Sequence, residues 1–174
     1  MRIRMLSCEV LARQIYYVAA FAPHVIDIDL VDKGLHTEPD RLRAELQRRL
    51  DAVPAGRYDV ITLGYGLCSN ALVGLTCPHT PMVLPRAHDC ITLYLGSGER
   101  YACEFRATPG TYWYTPDYME RNVTTGRWVA LGASTSDADM EQVYEEYVAK
   151  YGRDNADYLM EVMCAWQQHY SRAA

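Results

Sequence analysis

The sequence predicts an α/β protein: a Rossmann-like, doubly wound, mostly parallel sheet of strand order about 2-1-3-4, followed by C-terminal helices. Short apolar runs alternate with helical stripes, the pattern of parallel strands joined by right-handed crossovers. The second run alternates as an edge strand does, and the third is near-continuously apolar as an inner strand is.

Residues 2–7 read as the first strand, with Ile3, Met5 and Leu6 apolar. Over 9–22, Leu11, Ile15, Val18 and Ala22 recur at helical spacing. Val-Ile-Asp-Ile-Asp-Leu at 25–30 alternates at Ile26, Ile28 and Leu30, and suits a half-exposed edge strand. A second helix is expected from Asp40 to Val53, opened by Thr37 and Pro39 and striped by Leu42, Leu46, Leu50 and Val53. Tyr58 to Leu63 makes the third strand; a short helix and Met82-Val83-Leu84 follow. Residues 98–135, rich in Tyr, Trp, Thr, Pro and Gly, read as irregular packed loop. Two helices close the chain. Ser136 caps the first, which Met140, Tyr144, Tyr147 and Tyr151 stripe and Gly152 ends. Asp154 opens the second, with Leu159, Met163, Trp166 and Tyr170 on one side. With no repeat or linker, 1–174 reads as a single domain whose C-terminal helical portion spans 136–171.

The 174 residues carry 17 Lys and Arg against 22 Asp and Glu, a formal charge of −5. That balance argues against nucleic acid as a partner, which calls for clustered basic residues. No run of about 18 uncharged apolar residues is present, so no membrane partner is expected. Glu9, Arg13 and Gln14 interrupt what would be the apolar part of a signal peptide. Six cysteines are spread thinly through a chain able to build a core without staples, so reduced thiols and a cytoplasmic location are expected.

Ligands of open α/β sheets bind beyond the carboxyl ends of the strands. The residues expected there are Ser7-Cys8-Glu9, then Lys33-Gly34-Leu35-His36, then Gly64-Tyr65-Gly66-Leu67-Cys68-Ser69-Asn70, and last Arg86-Ala87-His88-Asp89-Cys90. Cys8, Cys68 and Cys90 are therefore expected on one rim, as soft thiolate ligands for zinc or an iron–sulfur cluster. His36, His88, Glu9 or an open position would complete the set; His36 is taken as the fourth ligand. Backbone N–H groups following the cysteines are expected to lower the thiol pKa values. Arg86 would orient an anionic group, or else pair with Asp89 or Glu9. His88, Arg86 and Glu9 are the candidate catalytic residues; His88 would act as ligand or base. Gly64, Gly66, Ser69 and Asn70 are the candidate cofactor-binding residues, although Gly64-x-Gly66 lacks the third glycine of a dinucleotide fingerprint. Cys103 and Cys164 are expected in packed core, and Cys77 with His79 at the opposite end of the sheet.

These segments, together with Cys8-Glu9-Val10-Leu11-Ala12-Arg13, Leu95-Gly96-Ser97 and Pro109-Gly110-Thr111-Tyr112-Trp113, resemble a bacterial and archaeal family catalogued as domain of unknown function 1638. The resemblance runs through most of the first 116 residues. It implies, by association, corrinoid-dependent methyltransferase systems as partners and one-carbon metabolism as the setting. It also implies a chain that continues beyond Ala174.

Three functions follow as expectations. The leading one is a metalloprotein doing Lewis-acid, thiol or methyl-transfer chemistry on a small molecule. The others are a non-enzymatic carrier of metal or cofactor, and a metal-free thiol redox protein using Cys68 and Cys90. The sequence leaves enzyme and non-enzyme both open, and a homo-oligomer is compatible with either.

Overall fold

A computed structural model describes residues 1–68, 70–120, 137–164 and 170–174, and within these the side chains of 137–143 and 162–164 are left aside. The chain divides into two compact units, Met1–Tyr101 and Ala102–Ala174.

The first unit is built on β1 (Arg2–Cys8), β2 (Val25–Val31), β3 (Val60–Gly64) and β4 (Met82–Val83), in the order β2-β1-β3-β4. Every pairing is parallel. The α/β class and the strand order expected from the sequence are both present. A 3₁₀ turn (Glu9–Leu11) and α1 (Ala12–Phe21) link β1 to β2. A second 3₁₀ turn (Lys33–Thr37) and α2 (Pro39–Asp51) link β2 to β3.

The two helices take opposite faces. Leu42, Leu46 and Leu50 of α2 bury with Leu6, Val31, Ile61 and Leu63 to form the core. The opposite face holds Ser7 and Gly64 side by side, and Ile15 of α1 reaches the same spot. There the sheet closes tightly: a Cβ on Gly64 would stand 2.6 Å from Ser7 Cβ. Ser7 Oγ instead donates to the Gly64 carbonyl at 3.0 Å.

The alternation of β2 works differently from the inside–outside pattern expected. Strand parity puts Asp29 with Val31 on the α2 face, where Arg4 and Arg49 pair with it. Ile26, Ile28 and Leu30 are half-buried on the other face. The carboxylate is kept inside because two guanidiniums neutralise it.

Between β3 and β4 the expected short helix is replaced by turns. Cys68 (φ 45°) and Asn70 (φ 65°) both sit in the left-handed region, which cannot start a right-handed helix. After β4, α3 (Cys90–Leu95) is capped by Asp89, whose Oδ1 accepts from Thr92 N at 2.8 Å. Gly96, at φ 74°, ends it.

α4 (Gly98–Ala107) stands where irregular loop was expected, and the division between the units falls inside it. The second unit continues with β5 (Thr111–Tyr112), α5 (Pro116–Glu120), α6 (Asp137–Tyr151), α7 (Arg153–Cys164) and β6 (Arg172–Ala173). β5 and β6 pair in parallel, with Tyr170 packed edge-on to Tyr112 and Arg172 bonded to Glu104. Gly152, at φ 79°, closes α6 as expected. The expected Ser136 cap and the Trp166 contact lie outside the described residues. Among the described residues no helix is long and apolar enough to cross a membrane.

Candidate functional site

The carboxyl end of the sheet is assembled by two close approaches. The first is the strand register: Ser7 lies opposite Gly64 and Cys8 opposite Val31, so β1 delivers Cys8 between the segments that leave β2 and β3. The second joins the segments that leave β3 and β4. Leu67 N donates to Ala87 O at 3.0 Å and Cys68 N to His88 O at 3.4 Å. Only glycine fits at 66, because a Cβ there would stand 2.6 Å from both Asp89 N and Asp89 Cα. Gly66 therefore lets Cys68 and Cys90 arrive at one mouth.

Cys90 feels the charges of Cys8 and Cys68, and Cys8 that of Cys68. Burial pushes Cys8 from 9.0 up to about 12, with the charge of Cys68 adding to it. Burial likewise lifts Cys90 to about 12, and the charges of Cys8 and Cys68 add further. Cys68 rises to about 11 through burial, with the Asp89 carboxylate contributing. Backbone amides of Val10, Gly66 and Cys90 pull the other way, as the sequence led one to expect. They do not prevail. Desolvation, with nearby negative charges adding to it, outweighs them, so the thiols are raised rather than lowered. Among the described residues no three His, Cys, Asp or Glu side chains stand in a ligating arrangement for a metal ion.

The other expected residues divide. His36 is half-buried at the same mouth; burial lowers its imidazole and the Asp89 charge opposes that. Glu9 accepts from Lys33 N at 3.1 Å, which ties the segment after β1 to the segment after β2. His88 is exposed, its Nδ1 3.4 Å from Asp89 Oδ2. Arg86 is exposed and makes no ion pair with any described residue, so the expected pairings with Asp89 and Glu9 do not form. Gly64 and Gly66 serve the two close approaches just described. Asn70 is exposed, and its carbonyl accepts from Arg43 at 2.9 Å. Ser69 lies outside the described residues.

Of the remaining cysteines, Cys77 Sγ lies 3.8 Å from His79 Nδ1, before β4 and so at the amino end of the sheet, as expected. Cys103 is exposed, with Arg106 at 3.6 Å, where core packing was expected. α4 keeps few residues inside, and position 103 falls on its outer side. The side chain of Cys164 lies outside the described residues.

Two members of the mouth were not singled out by sequence reasoning. Lys33 is lowered by burial, with Glu9, Asp32 and the Cys8 thiol opposing. Tyr65 is 2% exposed, and its hydroxyl has no hydrogen-bond partner. Tyr65 directly follows Gly64, the β3 partner of Ser7, and packs in one buried cluster with Cys68, against which Cys8 rests. A neighbouring cleft of about 680 Å³ mixes apolar Val31, Leu35 and Ala44 with carboxylates and guanidiniums that largely pair with one another. Arg41 pairs with Glu38, and Arg48 and Arg49 with Glu45.

A family model described as "Protein of unknown function (DUF1638)" matches residues 30–174. The chain belongs to this DUF1638 family. The matched stretch contains His36, Cys68 and Cys90, and Cys8 precedes it. No curated protein and no solved structure matches the chain.

Proposed function

We propose that this DUF1638 protein is a metalloprotein whose three thiols at the carboxyl end of the sheet hold zinc or an iron–sulfur cluster. The observation that supports the reading is that the strand register and the 67–87 and 68–88 hydrogen bonds draw the segments carrying Cys8, Cys68 and Cys90 to one end of the sheet, where the charges of Cys8 and Cys68 act on Cys90. Three buried sulfurs that each resist ionising beside the others make a poor free nucleophile, because a reactive thiol needs its pKa lowered. The same trio suits a soft cation, which removes the repulsion and deprotonates its ligands outright. That weighs against the metal-free redox alternative.

Ligation requires the sulfurs to turn toward a common point by changes of rotamer. The backbone that carries them is already held by the 67–87 and 68–88 hydrogen bonds. His36 would supply the fourth ligand. When bound, such a metal supplies Lewis-acid activation of a group at an open position. Arg86 and His88 stand exposed on the segment that leads to Cys90, where they would orient an anionic small molecule. Glu9 holds the Lys33 backbone and with it the segment that carries His36. A corrinoid methyltransferase system, the partner class implied by the resemblance, would exchange a methyl group with a small molecule held at this mouth. A carrier role would use the same ligands without turnover.

Protein purified without oxygen should contain close to one equivalent of zinc, or iron with a brown absorption spectrum. Cys8→Ser, Cys68→Ser and Cys90→Ser should each lose at least about 90% of it, a tenfold or greater loss of affinity. Cys77→Ser and Cys103→Ser should keep it. Full retention in the first three variants contradicts the reading.

A further inference from the structure

We propose that the free edge of β2 is a dimer interface. Two copies of the chain pair antiparallel along β2, about a two-fold axis at Ile28, and join their four-stranded sheets into one. This does not depend on the metal reading above.

β2 is seven residues long and ends the order β2-β1-β3-β4, so among the described residues no strand pairs with its outer side. Exposed edges are usually blunted by brevity, proline, lysine or a bulge. The opposite edge follows that rule: β4 has two residues and lies between Pro81 and Pro85. β2, Val-Ile-Asp-Ile-Asp-Leu-Val, has no such guard, and its register with β1 runs unbroken through all seven residues. Its two charges are engaged elsewhere. Asp29 pairs with Arg4 and Arg49, and Asp27 with Tyr58 and Arg2.

The edge fits a second copy of itself. Val25 N donates to Met1 O, so the odd residues of β2 turn their backbone groups to β1, and Ile26, Ile28 and Leu30 turn theirs outward. The sequence reads nearly the same in both directions from Ile28. Antiparallel pairing there sets Ile28 opposite Ile28 of the second copy, and Ile26 opposite its Leu30. Outward residues thus meet only outward residues, each pair exchanging two backbone hydrogen bonds. The Leu30 carbonyl already accepts from Arg49 at 3.1 Å and has a second lone pair for this. The side chains of Ile26, Ile28 and Leu30, half-buried in one copy, share a face and would cover one another. On the α2 face Val25 meets Val31, and Asp27 meets Asp29. That like-charge contact is outnumbered by Arg2, Arg4 and Arg49. Self-complementarity of this kind is what a two-fold interface requires, and an unrelated strand has no reason to match it. The two carboxyl-end mouths then face opposite ways, and each copy keeps its own site.

The test uses the wild-type chain and Ile28→Pro. Light scattering on wild type should give twice the 19.8 kDa chain mass. Half-dissociation is expected on the order of 1–10 μM, because one strand pair covers less than the roughly 800 Å² per partner of a standard interface. Amide exchange by NMR gives the residue-level readout. In the dimer the amides of residues 26 to 30 are all protected, whereas in a monomer only Asp27 and Asp29 are, held by β1. An edge strand tolerates proline where its N–H points outward. Ile28→Pro should therefore keep the fold and raise the dissociation constant at least about tenfold.

A wild type that stays monomeric throughout a concentration series overturns the proposal. So does a dimer whose Ile26, Ile28 and Leu30 amides exchange freely, which places the interface elsewhere. A monomer with those amides protected overturns it too, since another segment of the chain then covers the edge. A folded Ile28→Pro that dimerises as wild type does has the same force. Should Ile28→Pro not fold, the wild-type mass and amide pattern decide alone.

Discussion

The two ends of the sheet treat their polar groups in opposite ways. At the amino end several polar groups of the described residues are paired. Arg2 N donates to Asp59 at 2.6 Å, and Tyr58 donates to Asp27 at 2.8 Å beside the Arg2 guanidinium. His79 Nδ1 lies 2.8 Å from Thr80 Oγ1. At the carboxyl end the same fold holds three thiols raised mainly by burial, a hydroxyl without a partner and a cysteine at φ 45°. The buried, unpartnered Tyr65 hydroxyl among these thiols is in keeping with the proposal that something binds at this end. The difference has a backbone cause: the two close approaches at Gly64 and Gly66 draw separate strand ends together.

The largest effect should come from breaking the second of those approaches. Gly66→Ala places a methyl group 2.6 Å from the Asp89 backbone, which cannot give way as a flexible side chain can. The segments after β3 and β4 must separate, at a cost of about 3 kcal/mol or more, read by denaturant unfolding. Metal capacity should be lost even in the fraction that folds. Gly98→Ala is the contrast: nothing lies within 4 Å of the new Cβ, and stability should change by no more than about 1 kcal/mol.

A smaller effect comes from pH. The folded thiols keep their protons up to about 11 or 12, whereas an unperturbed thiol loses its proton at 9.0. Above about pH 9 the unfolded chain therefore binds fewer protons than the folded one, and stability falls as pH rises. Metal-free protein should lose about 2–4 kcal/mol between about pH 8 and pH 10. Cys90→Ala should flatten that slope, and zinc should abolish it, because ligated thiolates hold no protons to release. A metal-free protein equally stable across that range would contradict the description of the mouth.

The sheet was legible in the sequence because its signal is periodic. The alternation at 25–30 and the apolar run at 58–63 fix an edge and an inner strand, and chirality does the rest. The carboxyl-end residues followed from the strand boundaries, so Cys8, Cys68 and Cys90 could be grouped before any coordinates. Other features lack a local signal. The β5–β6 pair joins two-residue strands from distant parts of the chain, too short for any period to register. α4 carries Tyr101, Cys103 and Phe105 at strand-like rather than helical spacing, which hides the helix. The direction of the thiol shifts was misread because amide donors can be inferred from sequence, whereas depth of burial cannot. Tyr65, between two glycines, carries no sequence signal of its burial. That burial comes from the cluster it joins and not from its neighbours in the chain.

The central claim is that the three strand-end sulfurs share one metal. X-ray absorption at the zinc edge of zinc-loaded protein tests it most directly. The account predicts three sulfur ligands at about 2.3 Å with one lighter ligand, and loss of that sulfur-ligated zinc signal in Cys90→Ser. A first shell made of nitrogen and oxygen alone, or one unchanged in that variant, would contradict it.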